Sequence, residues 1–186
     1  MPDTERIISR GRWDQKHRDA EFLGEPAPFL LDCRPSLPPG RALDLACGLG
    51  ANALYLAEEG FEVDAFDWSF EALRKLRAAA REKGRRVQTI ACDVTRFPLP
   101  RGRYDVLVCF RFLERSLWPT MIEAIRPGGA LVLSTFNRRY LRERAGFPEP
   151  YCLEEGELLA AFGASLRVER HQELPRETHS SLLAFR

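Results

Sequence analysis

Two glycines spaced two apart, directly after an apolar run, restrict the possible folds of this chain more than any other feature. In Arg41-Ala-Leu-Asp-Leu-Ala-Cys-Gly-Leu-Gly-Ala-Asn52, Leu43 and Leu45 read as a buried strand, and 52–59 carries helical apolar spacing. Gly48 and Gly50 between them allow backbone angles and a close ligand approach that a Cβ would block. A strand running through such a turn into a helix places backbone N–H groups and a positive helix end at the carboxyl edge of a sheet. An anionic or electron-rich group can be held there. Because Gly48-Leu-Gly50-Ala-Asn-Ala53 also satisfies G-x-G-x-x-A, both nucleoside and nicotinamide binding must be considered.

From Arg41 onward strands and helices alternate, which argues for a parallel sheet covered on both faces. Strands are expected at 41–47, 61–67, 86–92, 104–110 and 129–136, with 165–172 and 180–185 closing the chain. Ser69 is placed to cap a helix on which Phe70, Leu73 and Leu76 share a face and which Lys83-Gly84 ends. A second helix is expected at 119–126, stopped by Pro127, and a third at 153–162. Residues 1–20 are charged, with Ile7, Ile8 and Trp13 as apolar anchors, and prolines bracket a short helix at 29–33. The organisation expected is an N-terminal arm with short helices over 1–40 and a single catalytic domain over 41–186. A chain of 186 residues fits one domain that buries roughly 70% of its unfolded surface.

A net charge of +1 gives no global field for nucleic acid or an anionic membrane. No apolar run approaches the roughly 18 residues of a membrane span, and the N-terminus lacks a signal-peptide core. Five cysteines without a C-x-x-C pair suit reduced thiols. A cytoplasmic protein with no nucleic-acid or membrane partner is expected, its oligomeric state left open.

Asp44 on the first strand and Asp67 at the end of the second complete a pattern. Leu43-Asp44-Leu-Ala-Cys-Gly48-Leu-Gly50, followed by Phe61-Glu-Val-Asp-Ala-Phe-Asp67-Trp68, resembles the first motif and the acidic second strand of class I S-adenosylmethionine-dependent methyltransferases. Ile125-Arg-Pro127-Gly128-Gly129 is similar to that family's approach to its fifth strand, although it also reads as a generic turn. The small bacterial branch similar to tellurite-resistance and thiopurine methyltransferases is the nearest in look, through Cys109-Phe-Arg111-Phe-Leu-Glu-Arg115 and Ser134-Thr-Phe136-Asn137.

The resemblance implies an α/β, Rossmann-like doubly wound sheet of seven strands, mostly parallel with an antiparallel strand near one edge. It implies S-adenosylmethionine as cofactor, bound by Asp44, Cys47, Gly48, Gly50, Asn52, Asp67, Trp68, Asp93, Val94 and Cys109. Asp67 would accept from the ribose hydroxyls or cap a helix, and Trp68 would face the adenine or simply pack. Asp93 and the Val94 N–H would meet the adenine edge. Asp44 would orient the methionine ammonium, since a buried carboxylate without such a partner costs several kcal/mol. Cys109 to Arg111 would line the wall beside the sulfonium, and Arg18 or another arginine of the arm would pair with the methionine carboxylate. Trp13-Asp14-Gln-Lys-His17 looks like a segment that folds over the cofactor, or else a solvated arm.

For the methyl acceptor, the branch implies a small molecule, with a soft nucleophile such as a thiol or metalloid oxyanion favoured because it needs no general base. His17, Arg111 and Tyr140 are the candidate catalytic residues, with Tyr151 and Glu114 behind them, while His171 and His179 are read as surface or core. Arg111, Arg115, Arg138 and Arg139 would bind an acidic group or form a solvated loop. Cys33, Cys109 and Cys152 would be the thiols for a metalloid, and no resident metal is expected. The place of the family's [DNS]-P-P-[YF] motif reads Cys109-Phe-Arg-Phe112, against a nucleobase acceptor. Two alternatives stand beside this reading: an NAD(P)-dependent oxidoreductase and a non-catalytic S-adenosylmethionine-binding module. The first demands a proton relay such as Tyr-x-x-x-Lys, yet no lysine follows Lys83 and Tyr55 is followed four residues on by Glu59.

Overall fold

The computed structural model describes residues 3–20, 23–174 and 176–186, with side chains from residue 11 onward, so Ile7 and Ile8 lie outside the described side chains. The strands are β1 (Arg41–Leu45), β2 (Glu62–Asp67), β3 (Val87–Ala91), β4 (Tyr104–Phe110), β5 (Ile125–Phe136), β6 (Arg167–Gln172) and β7 (His179–Phe185). They form a seven-stranded sheet in the order β3-β2-β1-β4-β5-β7-β6. β1 to β5 run parallel, whereas β7 is antiparallel to both β5 and β6. The chain steps outward from β1 to β2 and β3, then crosses back to β4. The carboxyl end of β1 is therefore the switch point at which open α/β sheets hold ligands.

The helices are α1 (Asp3–Arg18), α2 (Pro28–Cys33), α3 (Ala51–Glu58), α4 (Phe70–Glu82), α5 (Trp118–Ala124), α6 (Tyr140–Glu143) and α7 (Glu157–Phe162). Strand alternation builds two cores. Leu43, Leu45, Leu107, Leu131 and Leu133 face Met121 of α5 and Phe162 of α7. Ala42, Val63, Val106, Val108 and Val132 face Leu30, Leu56 and Leu76 on α2, α3 and α4. Ser69 caps α4 as expected, its Oγ accepting from Ala72 N at 3.2 Å.

Several boundaries differ from the sequence reading, α7 for example beginning at Glu157 rather than 153. β1 ends at Leu45 rather than 47, because Ala46 and Gly48 turn to φ of 56° and 55°, out of the extended region. α5 ends at Ala124, and Ile125 and Arg126 already belong to β5. The register jumps from Tyr104 opposite Ile125 to Val106 opposite Ala130, so Pro127-Gly128-Gly129 is an irregularity inside the strand. Proline supplies no ladder donor and Gly128 takes φ of 82°, which suits a bulge as well as a turn.

Candidate functional site

The turn after β1 is built by backbone bonds. Cys47 N donates to Phe66 O at 3.0 Å and Gly50 N to Cys47 O at 2.9 Å. Gly50 sits at φ of 80° as the N-cap of α3, and a Cβ there would lie 2.5 Å from a Leu76 methyl. Both backbone angle and space therefore require glycine at this position.

Four buried aspartates lie along the sheet, and their surroundings differ by edge. At the amino edge Asp64 is held by Arg41 at 2.7 Å and by the Tyr104 hydroxyl at 3.0 Å, and Asp105 accepts from Arg126 at 2.7 Å and from Arg41 N at 2.6 Å. At the carboxyl edge Asp44 is 1% exposed, and its Oδ2 has no hydrogen-bond partner among the described residues. Burial pushes its carboxyl up to about 8, offset in part by the Ala53 N–H and raised further by Asp67. Among the described residues Asp67 accepts from backbone N–H groups, from Gly48 at 2.7 Å and Ser69 at 2.8 Å, and burial raises its pKa too. Two buried carboxylates at one edge, with no guanidinium or ammonium of the described residues bonded to them, make a site suited to a cationic, hydroxyl-bearing ligand.

Around these acids, Trp68 is half-buried beside Asp67, Val94 is buried, and Asp93 closes a turn by accepting from Thr95 N at 3.0 Å and Thr95 Oγ1 at 2.7 Å. Cys47 and Cys109 both lie near Asp44, and burial raises both thiols, so they are neutral walls. Asn52 is the exception in this set. Its Oδ1 accepts from Ala27 N at 2.8 Å, which ties the segment before α2 to α3.

α1 lies across the turn. His17 is buried, with its Nε2 3.9 Å from where a Cβ on Gly48 would stand, its Nδ1 unpartnered and its ring stacked on Trp13 at 5.5 Å. Burial lowers its pKa, although Asp67 and Asp14 oppose the shift. α4 holds α1 at two points. Asp14 Oδ1 accepts from Ser69 Oγ at 2.7 Å and Glu71 N at 3.3 Å, and Lys75 Nζ donates to the carbonyls of His17, Arg18 and Ala20 at 2.7, 2.8 and 2.5 Å. Nothing local in the sequence marks Lys75 as the C-terminal cap of a helix nearly sixty residues away. Arg18, expected near a bound carboxylate, is exposed and reaches Glu71 at 3.9 Å.

Beyond β4 and β5 the same edge carries aromatic rings. Phe136 stacks on Tyr140 at 4.1 Å and 22°, and Phe147 sets its edge against Phe136 at 5.3 Å and Tyr140 at 5.0 Å. His179 joins them at 4.7 Å from Phe136, because the antiparallel register puts the first residue of β7 opposite the last of β5. The sequence reading placed His179 at the surface or in the core and so missed it; the direction of β7 was the available signal. Arg111 holds φ of 55° at the end of β4, its N–H donating to Ser134 O at 2.8 Å.

Of the four arginines expected to receive an acidic group, Arg115 is committed to Glu157 and to the carbonyls of Pro150 and Cys152. Arg138 is committed to Glu149 and Glu154. Glu114 caps a short turn through Ser116, and Tyr151 is exposed. Cys33, Cys109 and Cys152 are buried in three separate places, with thiol pKa values raised by burial, Cys33 to about 11. No group of three or more His, Cys, Asp or Glu side chains able to hold a metal occurs among the described residues, and among them no helix is long and apolar enough to cross a membrane.

Residues 42–129 match the family described as "Methyltransferase domain". The chain is 33% identical over 138 residues to a ubiquinone biosynthesis O-methyltransferase of Marinobacter nauticus, covering 68% of this chain and 58% of that one. It is 29% identical over 177 residues to the protein of the same name from Thiobacillus denitrificans, covering 90% and 69%. The chain thus spans less than two thirds of the length of the Marinobacter relative. Among solved structures, TehB from Haemophilus influenzae superimposes with a TM-score of 0.74 at 18% identity, over 95% of this chain and 66% of that one. An S-adenosylmethionine-dependent methyltransferase from Mesorhizobium loti superimposes with a TM-score of 0.70 at 22% identity, over 86% and 98%.

Proposed function

The chain belongs, through residues 42–129, to the methyltransferase-domain family with the class I S-adenosylmethionine-dependent fold, and we propose that it transfers a methyl group from S-adenosylmethionine to a small-molecule acceptor. The observation that carries this reading is the pair of buried carboxylates, Asp44 and Asp67, with no side-chain cation among the described residues bonded to either. An amino-acid ammonium fits the unpartnered Asp44 Oδ2, and ribose hydroxyls fit the remaining lone pairs of Asp67. Trp68 offers an apolar face to the adenine, Asp93 and the Val94 N–H its polar edge, and Cys109 a neutral wall. His17 and the rest of α1 close the cleft from above and exclude water.

When bound, the cofactor supplies a methyl group on a cationic sulfur, so the chain's own contribution is chiefly orientation and desolvation, worth roughly 7 to 11 kcal/mol in favourable model systems. The curated relatives are named as O-methyltransferases, which supports an oxygen acceptor over the thiol or metalloid that the branch resemblance favoured.

Calorimetric titration with S-adenosylmethionine and S-adenosylhomocysteine tests the proposal. Micromolar binding of both is expected. Asp67→Ala weakens it by about 1.5 to 3 kcal/mol for each charge-assisted hydrogen bond lost. Absence of binding to either, together with micromolar NADH binding, would replace the reading with the oxidoreductase alternative.

A further inference from the structure

The carboxyl edge of the sheet has a second half, beyond the residues assigned above to the cofactor. Phe136, Tyr140 and Phe147 form a half-buried set of rings there, and His179 from β7 leans on Phe136. Aromatic faces of this kind favour a flat, electron-rich ligand by offset or edge-on stacking. Arg111 stands at the end of β4, exposed, with no ion pair to an acid among the described residues, while its neighbours Arg115 and Arg138 are bound to glutamates. A non-glycine residue held at φ of 55° is a strained position of the sort that collects at functional sites.

Building on the methyl transfer proposed above, we infer that the acceptor is a planar aromatic hydroxyl compound bearing a negative charge, which stacks at Phe136 and Tyr140. His179 takes its hydroxyl proton and Arg111 receives its charge. The hydroxyl class fits the base: a thiol, with a pKa of about 8.5, is partly ionised at neutral pH and strongly nucleophilic, whereas a phenolic hydroxyl with a pKa of about 10 needs a proton acceptor as it attacks.

His179 is equipped for that role. Its Nδ1 lies 3.3 Å from Thr178 Oγ1, so in the tautomer that donates to Thr178 the Nε2 lone pair is free. Burial and the Arg111 guanidinium lower its pKa, against Glu177 and Glu143, which raise it. The imidazole is thus neutral at neutral pH. Nε2 accepts the hydroxyl proton while the oxygen electron pair forms the O–CH3 bond and the S–CH3 bond breaks, leaving a neutral thioether and an imidazolium that returns its proton to water.

The test uses the intact protein loaded with S-adenosylhomocysteine and titrated with 3,4-dihydroxybenzoate, catechol and benzyl mercaptan, followed by NMR and then by methyl transfer from S-adenosylmethionine. Expected are binding and methylation of 3,4-dihydroxybenzoate, and a shift of the His179 ring signal on binding. Arg111→Met should weaken 3,4-dihydroxybenzoate by at least about tenfold, with catechol unaffected. His179→Gln should lower kcat by about 10²- to 10⁴-fold with S-adenosylhomocysteine affinity unchanged, and should remove the acid limb of the kcat/KM profile. Rejection of both aromatic hydroxyls while benzyl mercaptan is methylated would overturn the inference and leave the methyltransferase reading standing. So would a His179→Gln enzyme that keeps both rate and acid limb. Failure of S-adenosylhomocysteine to bind would remove both.

Discussion

At the scale of single residues, Asp44 puts stability and binding in opposition. Its carboxyl is raised to about 8 in the fold against the ordinary 3.8, so its contribution to stability is complete below about pH 3.8 and falls as pH rises towards 8. Asp44→Asn removes the group that would have to ionise and keeps an acceptor for the Ala53 N–H. The variant is expected to melt higher than the parent at pH 7.5, by about 1 to 3 kcal/mol or roughly 2 to 4 °C per kcal/mol, while S-adenosylmethionine binds more weakly. A ligand ammonium at Oδ2 also drives the proton off. Calorimetry at pH 7 in buffers of different ionisation enthalpy should therefore show close to one proton released on binding by the parent and none by Asp44→Asn. Equal release by both would sever Asp44 from the cofactor. Gly50→Ala brings a Cβ against Leu76 at a φ that side chains rarely adopt, and a loss of about 1 to 3 kcal/mol in urea unfolding is expected.

At the scale of elements, α1 depends on contacts the sequence does not announce. The residues of the glycine turn, the Ser69 cap and most strand positions were legible because each is written within a few neighbouring residues. The start of β5 was not, since Pro127-Gly128-Gly129 fits a turn and a bulge equally well. Nor were Lys75 and His179, whose partners are fixed by docking and strand direction rather than by local pattern. Lys75→Met leaves the carbonyls of His17 and Arg18 in α1 and of Ala20 just after it without their donor, and amide hydrogen exchange over 11–18 should speed up by about tenfold or more. His17 supplies the pH dependence of the same contact. Its folded pKa is lowered, so docking is complete above about 6.5 and weakens as pH falls below that value. The protection factor of α1, which removes the intrinsic pH dependence of amide exchange, is expected to be smaller at pH 5.5 than at pH 7.5, and a pH-independent protection factor would show that His17 is not held neutral.

At the scale of the whole molecule, the two edges of one sheet have separate duties. The amino edge locks its buried acids with arginines, while the carboxyl edge leaves Asp44 and Asp67 without a bonded cation among the described residues and gathers Gly48, Trp68, Arg111 and the rings around Phe136. A ligand that joins the parts of that edge should stabilise the entire domain. At a hundredfold excess over its dissociation constant S-adenosylhomocysteine should add about 2.7 kcal/mol, several degrees in Tm, and NADH at the same concentration should add nothing. The position of α1 also bears on the order of events in turnover. His17 of α1 stands against Gly48 while Phe136, Tyr140 and Phe147 are half exposed, so under the proposed function the methyl-donor site is the more covered of the two ligand sites. The expected order is therefore nucleoside first on and last off, with the methylated product released before it. Steady-state inhibition should accordingly be compulsory-order, with S-adenosylhomocysteine competitive against the methyl donor alone.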